Sequence, residues 1–247
     1  MALPRDPIIM IPARMASSRL PNKPLADIHG EPMIVHVWRR SVEADVGRVV
    51  VAAGEPEIVD AVISAGGEAV LTDPSHPSGS DRIHEALLLV DADGAHDAIL
   101  NVQGDLPVLE PHVVRATMDL LDNSAVDIGT AAAEITDEAD RHNTAVNKAV
   151  VAWRPDGLVG RALYFTKAQA PTGGASLFHH IGLYAYRRAA LERFVSLPPS
   201  PLEKSEKLEQ LRALEDGMRI EVARVDTVPL GVDTPRELEI ARVILKP

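Results

Sequence analysis

Short apolar runs alternating with helix-like segments constrain this chain more than any other feature. Ile8-Ile9-Met10-Ile11, Val49-Val50-Val51-Ala52-Ala53, the stretch from Glu68 to Thr72, and Ala98-Ile99-Leu100-Asn101-Val102 read as four strands. Continuous rather than alternating hydrophobicity, clearest in the first two, implies cover on both faces. Between the strands, Pro32 to Ala44 is helical, with Met33, Val37 and Trp38 on one face. Pro56 opens a second helix that Gly66 closes, a third begins near Ser80, and Pro111 starts a fourth that ends near Asp122. Pro at a first turn and Gly just past a last turn are the expected punctuation. A repeated βα unit predicts a mostly parallel sheet with right-handed crossovers.

The rhythm then changes. Asn147 to Trp153 and Leu158 to Phe165 face each other across Arg154-Pro155-Asp156-Gly157, a hairpin signal. His180 to Tyr186 makes a further strand, so residues 129–187 are expected to extend the sheet in antiparallel fashion. Leu202 to Asp216 is expected to be one charged helix, with Leu208, Leu211 and Leu214 on one side and Gly217 as its stop. Ile220 to Val225 is a last strand, and Thr234 caps a C-terminal helix that Pro235 starts. At 247 residues the expectation is one domain, 1–247.

Composition excludes several chemistries. There is no cysteine, hence no disulfide, thiol nucleophile or thiolate metal site; this fits a reducing, cytoplasmic setting. Met1 to Asp6 carries no signal-peptide core, and no apolar run approaches a membrane span. A formal charge of -11 and a pI near 5.3 argue against a nucleic-acid surface. Anionic ligands would have to be met by local cations or a bridging metal.

Such local cations stand directly after the first strand. Pro12-Ala13-Arg14-Met15-Ala16-Ser17-Ser18-Arg19-Leu20-Pro21-Asn22-Lys23-Pro24 holds three basic residues and no acidic one. In open α/β sheets that edge is where ligands bind. Two guanidinium forks and an ammonium suit a polyphosphate. Neither a Walker loop nor a G-x-G-x-x-G fingerprint is present, so the grip relies on side chains and loop amides. Asp105, in Asn101-Val102-Gln103-Gly104-Asp105-Leu106-Pro107, follows the fourth strand at the same edge. Asp233, in Gly231-Val232-Asp233-Thr234-Pro235, precedes the last helix. Two carboxylates with phosphate oxygens make a hard-oxygen site of the kind Mg²⁺ takes. As plain structure, Asp105 would pin its own turn and Asp233 would cap its helix. The Asp73 to Arg82 segment, with Ser78, Gly79, Ser80 and Asp81, permits close approach of a planar base or simply caps a helix. Of His179 and His180, strand alternation sends one to the core.

These segments carry a family likeness. Ile11-Pro12-Ala13-Arg14 with Arg19-Leu20-Pro21-Asn22-Lys23-Pro24-Leu25, Asn101-Val102-Gln103-Gly104-Asp105, His180-Ile181-Gly182-Leu183-Tyr184, Pro201-Leu202-Glu203 with Leu208-Glu209-Gln210-Leu211-Arg212, and Gly231-Val232-Asp233-Thr234-Pro235 resemble the 3-deoxy-manno-octulosonate (Kdo) cytidylyltransferases. The resemblance implies a Rossmann-like nucleotide-diphospho-sugar transferase (glycosyltransferase-A-type) α/β fold. It implies the reaction of CTP with Kdo to give CMP-Kdo and pyrophosphate, for lipopolysaccharide biosynthesis in the bacterial cytoplasm. It further implies a Mg²⁺ cofactor and a homodimer to which residues 129–187 contribute. It would place Arg14 and Lys23 on the triphosphate and Asp105 and Asp233 on the metal, these four being catalytic. Ala13, Arg19, Ser78, Gly79, Arg82 and Gln103 would complete the nucleotide site. His180, Tyr184, Glu209, Gln210 and Lys167 would bind the sugar. Two departures stand out: Tyr164-Phe165-Thr166-Lys167 replaces the family's usual Tyr-Phe-Ser-Arg, and the loop Pro171 to Ser176 lacks its usual acidic and aromatic residues.

Overall fold

The computed structural model of the protein describes residues 6–17 and 19–246. Residues 1–5, most of the N-terminal segment considered above, and Ser18 of the basic loop lie outside them. The described chain divides into two compact units, residues 6–115 with 229–246, and residues 116–228.

The first unit opens with β1 (Pro7–Ala13), followed by the two-residue strands β2 (Asp27–Ile28) and β3 (Glu31–Pro32). Then come α1 (Met33–Glu43), β4 (Arg48–Ala53), α2 (Pro56–Ser64), β5 (Glu68–Leu71), α3 (Gly79–Val90), β6 (Ala98–Asn101) and α4 (Pro111–Asp119), whose last residues run into the second unit. Its sheet has the order β5-β4-β1-β6, every pair parallel. Ile8, Ile9, Met10 and Ile11 are fully buried, as the unbroken apolar run requires of a central strand. β5, at the edge, is half exposed. Pro32 stands at the N-cap of α1, which buries Met33, Ile34, Val35 and Val37. Gly66 ends α2 at φ +84°, a left-handed position that costs glycine little.

The second unit holds β7 (Ile128–Glu134), α5 (Glu138–His142), β8 (Lys148–Trp153), β9 (Val159–Thr166), β10 (Phe178–Arg187), α6 (Arg188–Ser196), α7 (Pro201–Glu206), α8 (Leu211–Glu215) and β11 (Ile220–Val225). Its strands run in the order β10-β7-β11-β9-β8, and β8 also pairs with β10. The five strands therefore form a closed hydrogen-bonded circuit. β7 and β11 are parallel and the other pairs antiparallel, so the strands of this unit are mixed. Phe165, Leu183, Ile220 and Val222 are among its fully buried residues. Glu221 is buried as well, held by Arg154 and Arg219 at 2.6 Å each.

The single helix expected over 202–216 is two. The Ser200–Glu203 capping box starts α7, and Lys207 ends it in a left-handed conformation, φ +57°, with its N–H on the Glu203 carbonyl. The intervening turn buries Leu208 and Gln210 before α8 buries Leu211, which a straight helix would not do for all three. The chain finishes in the first unit with α9 (Pro235–Ile244), capped by Thr234 as its sequence implies. Among the described residues no helix is long and apolar enough to cross a membrane.

Candidate active site

In the first unit, the loops that follow β1, β5 and β6 and the turn before α9 surround a cavity of about 380 Å³. Close packing of backbone brings them together. A Cβ on Gly104 would stand 2.6 Å from the Pro12 carbonyl oxygen, so only glycine lets the β6 loop approach the end of β1. The Val232 N–H donates to the Asp105 carbonyl (2.9 Å), which ties the two acidic segments to each other.

Asp105 and Asp233 converge on one ammonium. Lys23 Nζ donates to Asp105 Oδ2 (2.8 Å) and to Asp233 Oδ1 (2.9 Å), and Arg19 Nη2 lies 2.8 Å from Asp233 Oδ2. Burial opposes the lysine charge, yet the two carboxylates outweigh it and hold Lys23 above the ordinary lysine pKa. Burial likewise opposes the Asp233 charge, and Lys23 with Arg19 pulls that carboxyl below its usual range. The plain structural alternatives fall away on geometry. α9 is capped by Thr234, and Glu237 Oε2 accepts from the amides of both Asp233 and Thr234 (2.8 Å each), so the Asp233 carboxylate is spent elsewhere. Asp105 reaches Lys23, 82 residues away, rather than its own turn.

Ala13, Arg14, Arg19, Ser78, Gly79, Arg82 and Gln103 also line this cavity, so the structure brings every nucleotide-site candidate together. Ser78 caps α3 by accepting from the Asp81 amide (3.2 Å). Arg82, almost wholly buried, donates to Thr72 Oγ1 (2.6 Å) and the Asp73 carbonyl (3.1 Å). Burial lowers its pKa. Two carboxylates meeting at one point are hard-oxygen donors of the kind a divalent cation takes, although among the described residues no group of three His, Cys, Asp or Glu stands together. Mg²⁺ is commonly held by one or two carboxylates plus substrate phosphates and water.

The second unit gathers most of the sugar-site candidates. His180 and Gln210 are buried, and Gln210 Nε2 donates to His180 Nδ1 (3.3 Å). The ring proton therefore sits on Nε2 and donates to Thr130 Oγ1 (3.0 Å), whose hydroxyl donates to the Leu183 carbonyl (2.8 Å). Burial, with His179 beside it, drives the His180 pKa down to about 3. Phe165 and Tyr184 flank the ring at 4.6 and 5.6 Å. Burial, with Glu209 adding to it, pushes the Tyr184 phenol up. Lys167 follows β9, its amide donating to Glu206 Oε2 (3.1 Å) and its carbonyl accepting from the buried Lys148 ammonium (3.4 Å). Thr130 escaped the sequence reading. Its only signal is one hydroxyl among Ile128-Gly129-Thr130-Ala131, a run of small and apolar residues.

Comparison with known proteins places the chain in a family. A cytidylyltransferase family model matches residues 8–220. The 3-deoxy-manno-octulosonate cytidylyltransferase of Paramagnetospirillum magneticum is 63% identical over 97% of this chain and 98% of its own. That of Parvibaculum lavamentivorans is 65% identical over 97% and 92%. A solved structure of CMP:2-keto-3-deoxy-manno-octonic acid synthetase complexed with CTP superposes with a TM-score of 0.90 at 38% identity, covering 98% of each chain. A nucleotidyl transferase of Methanothermobacter shares the fold at 15% identity, with a TM-score of 0.63 over 97% of each chain. With a family model over most of its length and relatives this near, the chain belongs to the cytidylyltransferase family, among the 3-deoxy-manno-octulosonate cytidylyltransferases.

Proposed function

We propose that this chain transfers the cytidylyl group of CTP to Kdo, giving CMP-Kdo and pyrophosphate, on a Rossmann-like, glycosyltransferase-A-type framework. The observation that carries the reading is the convergence of Asp105 and Asp233 on Lys23, in a cavity that Arg14, Arg19 and Arg82 also line. The relatives named for this reaction, at 63–65% identity, support the choice of substrates.

In the reaction the anomeric hydroxyl oxygen of the sugar acid forms a bond to the α-phosphorus and gives up its proton to water, and the α–β phosphoanhydride bond breaks in line with it. Arg14, Arg19 and Lys23 bind the triphosphate and steady the pyrophosphate as it departs. Ser78, Gly79 and Gln103 are assigned to the cytidine. Asp105 and Asp233 would hold Mg²⁺, which when bound neutralises phosphate charge and acidifies the attacking hydroxyl. Recognition of the sugar acid is assigned to Tyr184, Glu209 and Lys167. His180 keeps Gln210 in place, because both of its ring nitrogens are engaged. The protein thus works chiefly by orienting two anions that repel each other. A homodimer acting in the cytoplasm is part of the same reading.

Pyrophosphate release, followed with CTP or UTP, Kdo or a related ulosonic acid, and Mg²⁺, tests it. Release with CTP and Kdo, and not when either is omitted, is the expected outcome. Equal turnover with UTP, or none with Kdo, would sink the assignment.

A further inference from the structure

The loop from Ala13 to Lys23 brings three cations to the cavity and has no carboxylate of its own. Its anchor comes from the next βα junction. The Gly54 N–H donates to the Ala13 carbonyl (2.9 Å), and Glu55 Oε2 accepts from the Met15 N–H (2.9 Å). The chain is thereby gripped on both sides of Arg14. Glu55 stands at the N-cap position of α2 but makes no side-chain cap there. That position favours Ser, Thr, Asp or Asn, whose short side chains cap their own helix. The longer glutamate spends its carboxylate on a neighbouring loop instead. Glu55 does not line the cavity.

We propose that Glu55 is a positioning residue for nucleotide binding: its carboxylate fixes the Arg14–Met15 backbone so that Arg14 meets the triphosphate. This rests on the reading that the cavity takes CTP. A carboxylate behind an anion site is an electrostatic liability, because it repels the triphosphate it helps to seat. Part of that repulsion is offset because the same charge favours the buried Arg82 guanidinium, so the contribution left to Glu55 alone is geometric, held in its hydrogen bond to Met15. Geometry and charge make opposite predictions for the isosteric amide. Glutamine keeps an oxygen that accepts from Met15 and sheds the charge, so it should bind CTP as well as glutamate or slightly better. Alanine loses the anchor and should bind CTP worse.

The experiment compares wild type, Glu55→Gln and Glu55→Ala in CTP calorimetry and in steady-state kinetics. Loss of one hydrogen bond to a charged acceptor should raise the Kd and KM for CTP in Glu55→Ala about tenfold. Its KM for Kdo should stay within about twofold of wild type, and its kcat should fall no further than that of Arg14→Ala, the residue it positions. Glu55→Gln should restore CTP affinity to wild type or better. In an Arg14→Ala background, Glu55→Ala should add little further loss, because the two changes remove one interaction. Wild-type CTP affinity in Glu55→Ala overturns the proposal. So does full additivity with Arg14→Ala, or a Glu55→Gln as weak as the alanine variant. Should wild type itself fail to bind CTP, the functional reading fails instead. Hydrogen exchange at Arg14–Ala16, faster in Glu55→Ala than in wild type or not, then decides the anchor independently.

Discussion

Lys23 has a carboxylate on either side, and those are the two carboxylates assigned to the metal. The ammonium and a divalent cation therefore seek the same oxygens, and a triphosphate gives Lys23 and Arg19 an alternative partner. Asp105→Asn keeps the shape and one acceptor but removes the charge that both cations need. It should lower kcat by about 10²-fold or more while the melting temperature hardly moves. Steady-state assays beside thermal denaturation check this, and a near-normal kcat would remove Asp105 from the site. His180 makes a different argument. In the fold it stays neutral down to a pH of about 3, because it is buried beside His179, whereas its unfolded value is 6.5. Between those values the unfolded chain binds the extra proton, so acid favours unfolding. Stability from this residue should fall as pH drops from 6.5 towards 3, by at most about 1.4 kcal/mol per pH unit, and be level above 6.5. Unfolding free energies from urea titrations of wild type and His180→Asn across that window should differ in pH slope, by up to that amount.

Elements deliver these residues, and close backbone contacts set the tolerance. In Gly104→Ala the new methyl would meet the Pro12 carbonyl oxygen at 2.6 Å, and backbone on both sides leaves little room to yield. The loop should move outward and carry Asp105 with it. We expect a loss of about 1–3 kcal/mol in stability together with a fall in kcat, measured by denaturant titration and pyrophosphate release. Retained kcat would show that the approach is not tight. The strands and helices that frame this contact were legible because β1 and β4 announce their burial as unbroken apolar runs, and because Pro56, Gly66 and Thr234 punctuate helices by local rules. Lys207 was not legible. A non-glycine residue at φ +57° is imposed by the packing of Leu208, Gln210 and Leu211, not by any propensity of lysine. Within the site, basic and acidic residues could be placed at one sheet edge from topology alone. That Lys23 bridges two carboxylates, or that Glu55 serves a loop forty residues earlier, depends on side-chain reach that sequence spacing does not encode.

At the scale of the molecule, a chain of net charge -11 must take up a triphosphate and a sugar acid. The general field opposes both, so uptake depends on concentrating Arg14, Arg19, Lys23 and Arg82 against only two carboxylates in one cavity. Every residue assigned to the nucleotide belongs to the first unit, and every residue assigned to the sugar belongs to the second. Most of the residues assigned to the nucleotide sit on loops, with Gly79 and Arg82 in the first turn of α3, and loop amides open at lower free energy than those of the buried strands that carry them. Ligand protection should therefore be read on the loops. Hydrogen exchange with CTP alone should slow amides near 12–24, 78–82, 103–105 and 231–234. The fully buried strand β1 is already protected and should change little. Kdo alone should leave those four loops as they were and slow amides near 167, 184 and 209–210. CTP protection spread evenly over both units would mean that binding works by global tightening, and the division of labour between the two units would be wrong.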